Sequence, residues 1–457
     1  MTAVTSTPTA QYLDLFARRG ERSGEAEPVR LRRRQAIERF EAAGFPGRGD
    51  EEWRQTNIAP LLRSAVSEAS REEVGVRQAR RFLYEGCDRL VFVNGRFAVE
   101  LSSIPKEIAV SSLADLEATG GAADAVAEHL GATVDGRASC SADAGVHPFA
   151  ALNTGLFDDG AVIVIPAGAV VERPLQVLWL SAPAEGAAAD SLEVSFPRLL
   201  VVAGENSQAS IIETFVAVNG ATGGYFVCPA AEFVCRAGSV LHHTRLQADA
   251  SDAFHLGFQH TELERSAVFD SSSLAFGGGL VRNDAVALLD GEGAHCTLDG
   301  LYVVAGSQFV DNHMRVEHRQ PNTTSHQLYK GVLDDRARSV FNGRIYVHKA
   351  AQKTDAKQTN RNLLLSRSAL ANSNPQLEIF ADDVRCTHGS TIGRLDEDAL
   401  FYLRARGLPR DEAYGMLVYA FARELVEKTS FEPLRQDLEG RLRASLNGGP
   451  GGGAGSR

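Results

Sequence analysis

The sequence predicts a mainly β fold: a long solenoid or, as the alternative, a large sandwich, with helical segments before and after it. Three observations carry this. From about Val146 to Gly393 helical periodicity nearly vanishes, and the chain becomes a series of short β-branched and apolar runs. Gly, Asn, Asp or Pro punctuate most of those runs, as turns require. Two blocks also repeat, since Ala294-x-Cys296-x-x-x-Gly300-x-Tyr302 resembles Ala337-x-Ser339-x-x-x-Gly343-x-Ile345 at an offset of 43 residues. That offset equals two solenoid coils if a coil takes ~20 residues. A solenoid suits such length better than a sandwich, because each coil contacts only its neighbours and the core grows linearly.

The elements follow in order. The first hundred residues read as mainly helical: Pro28 opens a helix carrying Leu31, Ala36, Ile37 and Phe40, and Gly44 closes it. A turn-rich stretch, Gly44-Phe45-Pro46-Gly47-Arg48-Gly49-Asp50-Glu51-Glu52-Trp53, comes next, and a helical patch spans Ala122 to Leu130. Expected strands are Ala161–Ile165, Leu199–Val202, Ser210–Thr214, Ser239–Leu241, Leu301–Val304 and Gly343–Val347. Leu377, Ile379 and Ala381 fall at period two, and the strand they suggest runs on to Cys386-x-His388-Gly389. Helix then returns. Asp396 caps Ala399-Leu400-x-x-Leu403, which stops at Gly407-Leu408-Pro409. A second helix carries Ala413, Met416, Leu417, Ala420, Phe421 and Leu425, and a third carries Leu434, Leu438 and Leu442, all at core spacing. The domains expected are 1–140, helical or mixed; 141–393, the β core; 394–446, helical; and 447–457, a disordered glycine-rich tail.

Bulk properties narrow the function. The net charge of −11 argues against non-specific binding to nucleic acid or anionic membrane, and Arg30-Leu31-Arg32-Arg33-Arg34 reads as a solvated helix face. No apolar run reaches the length of a membrane span, and the N-terminus lacks the pattern of an export signal. Six cysteines (Cys87, Cys140, Cys228, Cys235, Cys296, Cys386) form no CxxC pair. The expectation is a cytoplasmic protein with reduced thiols.

Few residues propose chemistry. Cys386 and His388 share one strand face, so they can meet one ligand, although on the spacing alone a half-buried structural pair is the better reading. Asp382-Asp383 allows a carbohydrate-active β-helix enzyme, but adjacent strand residues face opposite sides and cannot flank one bond. That enzyme class also calls for an export signal and aromatic sugar platforms, and aromatics are only 7% here. His242-His243 with His255 and His260 raises a cupin-like metalloenzyme, yet no His-x-His occurs. His313, His318, His326 and His348 read as surface or coil-stacking residues. There is no P-loop, GxGxxG after a strand, or GxSxG elbow, and Phe276-Gly277-Gly278-Gly279 lacks the lysine of a phosphate cradle. Gln358-x-Asn360-x-Asn362 repeats at strand period and suits an amide ladder between aligned strands.

Four separated blocks carry a family resemblance: Lys353 to Gly393, the Gly44 to Trp53 turn, His147-Pro148-Phe149-Ala150-Ala151-Leu152-Asn153, and Leu400-Phe401-Tyr402-Leu403-Arg404-Ala405-Arg406-Gly407-Leu408. Together they resemble the SufB/SufD scaffold family of iron–sulfur cluster assembly. Asp383-Val384-Arg385-Cys386-Thr387-His388-Gly389 is similar to its SufD branch, and the Glu-His-Glu pattern of the SufB branch is absent. The resemblance implies a right-handed parallel β-helix flanked by helical domains, and a scaffold rather than an enzyme. It implies pairing with SufB through the β-helix ends, a homodimer when the chain is isolated, and a SufC ATPase on the C-terminal helices. Leu403, Met416, Phe421 and Leu425 are the implied ATPase-contact region. His388 would take part in a transient iron–sulfur cluster shared with SufB, with transient iron on His388, and Cys386 stands beside it. ATP would bind only to the SufC partner.

Overall fold

Two sheets wind around one another to form a parallel β-helix, with helices at both ends of the chain. The computed structural model describes residues 7–20, 25–71, 74–105, 107–116, 122–131, 147–184, 191–218 and 224–447; Cys140 and the glycine-rich tail from residue 448 lie outside these. The first sheet has 12 strands and the second 10. From Ala230 onward the chain alternates between them, and each strand pairs in parallel with the strand one coil before and one coil after.

Register gives the coil length. Val240, Val268, His295, Thr324, Asp355 and Arg385 stack in one column of the second sheet, so a coil takes 27 to 31 residues. The expected coil of ~20 is therefore too short. Each coil holds two strands of about ten residues plus two corners. The offset of 43 is one and a half coils, which puts Cys296 (His295–Val304) in the second sheet and Ser339 (Arg338–Val347) in the first. What repeats is the strand entry: Ala267, Ala294 and Ala337 each precede a strand and are fully buried.

One corner is built the same way in every coil. Asn206, Gly238, Ser266, Gly293, Asn322 and Lys353 all have positive φ, between 55° and 73°. Each donates its backbone N–H to a carbonyl of the following coil, ending with Lys353 to Asp383. The left-handed turn aims that N–H along the solenoid axis, which is why Asn, Gly and Ser recur there. Lys353 pays the steric penalty that glycine avoids, and its ammonium pairs with the Asp383 carboxylate.

The first hundred residues are mainly helical, as expected, with short strands set among the helices. The helix Glu27–Ala43 is present and ends on Gly44 at φ 67°, while Ala65–Glu68, Asp88–Val93 and Arg96–Phe97 are strands, as is Ala109–Ser112 just beyond. These runs are too short to show a period, and sheet pairing stabilises them. Asp88–Val93 pairs in parallel with Leu175–Ser181, so the solenoid begins before the long β segment. At this end each sheet carries an antiparallel strand, Ala109–Ser112 on Ala161–Ile165 and Arg96–Phe97 on Asp88–Val93, while a side branch of the first sheet ends on Ala65–Glu68, parallel to Ser191–Ser195.

The N-terminal helices are clamped to the outer face of the first sheet. Arg282 lies 3.6 Å from the centre of the Trp53 ring, bonds Asp284 at 2.8 Å and donates to the Glu52 carbonyl at 2.7 Å. His147 Nε2 is 3.2 Å from the same Asp284, and Phe149 packs on Trp53. The Gly44–Trp53 and His147–Asn153 blocks therefore fasten the fold.

At the other end, helices Glu397–Ala405, Arg410–Glu427 and Glu432–Asn447 follow the last strand. Asp396 caps the first through the amides of Asp398 and Ala399. The two long helices form a hairpin on the outer face of the second sheet, packing Val418, Ala422, Leu425, Leu434, Leu438 and Leu442 against Leu274, Leu301 and Val332. Lys428 pairs with Asp299 at 2.6 Å, and Lys330 donates to the Phe421 carbonyl at 2.8 Å.

Candidate functional site at the open end of the solenoid

The chain leaves the solenoid through two strands that lack a following coil. Leu370–Ile379 ends the first sheet and Arg385–Gly393 ends the second. The single strand expected from Leu377 to His388 is thus two strands in different sheets. Asp382 and Asp383 make the corner between them and are exposed, as turn carboxylates should be.

The two edges differ. Leu370–Ile379 contains Pro375, opposite Gly343, so it lacks one backbone donor and is poorly suited to accept another strand. Arg385–Gly393 has no proline. All of its residues are exposed except Cys386, which is half-buried. It therefore presents a regular row of unpaired backbone groups to the outside.

Cys386 and His388 lie on this free strand. They are register partners of Ala356 and Gln358, whose side chains point into the solenoid, so the thiol and imidazole face the mouth of the lumen. Cys386 packs with Val347, Ala351, Ala356 and Ala381. Desolvation pushes its thiol up and the nearby Asp355 carboxylate adds to this, while a bond from the Ala356 backbone opposes it. The shift disfavours the thiolate in the chain alone. Among the described residues no three His, Cys, Asp or Glu side chains gather to hold a metal ion. Ser373, on the strand across the lumen, was not singled out from the sequence; its hydroxyl is buried without a partner.

Other candidates separate by position. His242 and His243 point to opposite faces: His242 is exposed beside Asp270, and His243 is buried between Glu213 and Ser271. His255 bonds Asp249 and Arg245 in the lumen. His318 is fully buried between Thr323 and Ser325, and burial pushes its pKa down to about 3. Gly277, Gly278 and Gly279 form a corner where a side chain at Gly277 would meet the Asp249 carbonyl.

On the C-terminal helices the four implied contact residues divide. Leu425 is 2% exposed and belongs to the core beneath the hairpin, so it faces the solenoid and not a partner. Phe421 packs beside that core and under Lys330. Met416 is exposed and Leu403 half-buried. Phe401 and Tyr402, which the spacing argument passed over, are 72% and 57% exposed. An unusually exposed aromatic pair was the signal for them.

Comparison with known proteins agrees with this architecture. Residues 185–421 match the SufBD core domain of the SUF system for iron–sulfur cluster assembly, and residues 6–177 match the SufBD N-terminal region. The chain is 31% identical to the iron–sulfur cluster assembly protein SufD of Escherichia coli over 450 residues, covering 97% of this chain and 98% of that one. It is 32% identical to the SufBD family protein slr0076 of Synechocystis over 438 residues, covering 93% and 92% of the two chains. The SufD of Bacillus subtilis is 25% identical over 292 residues, 64% of this chain and 65% of its own. With both halves matched and the β-helix in place, the chain belongs to the SufBD family of iron–sulfur cluster assembly proteins.

Proposed function

We propose that this chain is the SufD-type, non-catalytic scaffold subunit of a SufBCD-type complex, acting in the cytoplasm. The observation that carries the reading is the free strand Arg385–Gly393, an exposed, proline-free edge bearing Cys386 and His388 at the mouth of the lumen. An edge of this kind is completed by a like edge from another chain, and SufB is the partner that family membership suggests. A site on that seam holds only half a ligand set in each chain. His388 supplies a borderline nitrogen ligand for transient iron, and Cys386 stands behind it as a thiol that a partner's charges would have to activate. The cluster is cargo built across the seam. ATP belongs to a SufC partner, docked on the exposed Phe401, Tyr402 and Met416 side of the C-terminal helices.

Co-expression with candidate SufB and SufC chains tests the reading. A stable complex is expected, with cluster formation lost in His388→Ala while assembly persists. Normal cluster formation in that variant removes the role given to His388, and failure to recruit either partner removes the scaffold reading.

A further inference from the structure

The column of residues beneath His388 has an end that no described residue satisfies. Gln327, Gln358 and His388 are register partners on three successive coils of the second sheet. Gln358 Nε2 donates to Gln327 Oε1 at 2.9 Å, and the two side chains are 1% and 2% exposed. Gln358 Oε1 and Gln327 Nε2 are buried with no partner. Across the lumen, a Cβ at Gly343 would lie 2.1 Å from Gln358 Nε2, so the opposite sheet carries a glycine where this amide needs room. A buried amide oxygen without a donor is a standing cost, and a neighbour one coil away on the same face is the natural partner. That neighbour is His388.

We propose that Gln358 is a positioning residue for His388: the exposed imidazole does not bond the amide in this structure, and a turn of the ring brings its N–H onto the unpartnered Gln358 oxygen, which fixes one tautomer and leaves the other ring nitrogen facing out of the open end as a ligand. The inference rests on the reading of His388 given above. It goes further by naming what orients the ring and why the amide faces as it does. With Nε2 committed to Gln327, only Oε1 is left to face the next coil. The pattern is that of a metal-bound histidine whose second nitrogen is held by an acceptor behind it.

Nitrogen-15 spectra of histidine-labelled full-length chain test this directly, with the His388 signals assigned by their loss in His388→Gln. The wild-type ring is expected to hold one dominant tautomer. Gln358→Leu should release it to the mixture of an unconstrained imidazole and slow cluster formation in the complex by about 10-fold. Gln358→Glu keeps an acceptor oxygen and should retain the single tautomer. Free tautomer exchange in the wild-type chain overturns the proposal without any variant. So does an unchanged tautomer in Gln358→Leu that unfolds at the wild-type temperature. If the tautomer is fixed by Gln358 but His388→Ala still assembles clusters, the positioning stands and the cluster role falls.

Discussion

Raising the pH should loosen the clamp between the N-terminal helices and the solenoid, and the size of the effect follows from His313. Its imidazole is 11% exposed, with Nε2 3.0 Å from Asp311 and Nδ1 3.2 Å from Glu52. Burial, the largest single influence, acts to discharge it and the Arg282 guanidinium adds to that, but the Asp311 charge and the bonds to Asp311 and Glu52 together outweigh both and push its pKa up to about 9. The ordinary value is 6.5. A group raised in the folded state stabilises fully below its unfolded pKa and loses that contribution as pH rises through the folded one. At 1.36 kcal/mol per unit, the difference amounts to about 3 kcal/mol between pH 6.5 and 9. His313→Gln removes the titration and leaves the surrounding side chains in place. Urea unfolding of both proteins at pH 6 and pH 10 is the assay. The wild type should lose about 3 kcal/mol more than the variant over that interval. Parallel losses would show that His313 is not held charged by Asp311 and Glu52.

Three further outcomes follow from packing and backbone geometry. Leu438→Ala, at a fully buried position under the C-terminal hairpin, should cost about 2–5 kcal/mol and admit protease between the helices and the solenoid; an unchanged cleavage pattern would count against that docking. Lys353→Gly relieves a lysine at φ 63° and gives up an exposed ion pair, so stability should rise by roughly 1 kcal/mol, and a lowered melting temperature would contradict the corner argument. Gly300→Ala places a methyl 2.1 Å from the Tyr329 ring inside the lumen, and the expected result is a strongly destabilised chain; a wild-type melting temperature would mean the lumen is looser there than drawn.

Much of the fold can be read from residue patterns, and the misses have physical causes. Ala161–Ile165 is a strand with the expected limits, because a continuous β-branched run between turn residues leaves little choice. Leu434, Leu438 and Leu442 lie in one fully buried row, as helical spacing demands. Coil length was not legible, because the repeated unit is the strand with its corner, and two such units make one coil. Asp88–Val93 was missed because six residues carry no period, and its stability comes from Leu175–Ser181, distant in sequence. At the candidate site, Cys386 and His388 could be named from the sequence, but their place at the lumen mouth could not. Register alone sets His388 over Gln358, and that depends on the length of the corner between Leu364 and Leu370 as well as on Asp382-Asp383.

The antiparallel strands that close both sheets at the N-terminal end set a limit on assembly. A solenoid open at both ends is a monomer for a fibre, since each copy can add to the last without closure. Here Arg96–Phe97 and Ala109–Ser112 reverse the strand direction, so the parallel register cannot continue past them. Among the described edge strands, Arg385–Gly393 is long and free of proline, whereas Leu370–Ile379 carries Pro375 and Ala65–Glu68, Arg96–Phe97 and Ala109–Ser112 run only two to four residues. Edge pairing at Arg385–Gly393 therefore favours a closed pair over a growing fibre.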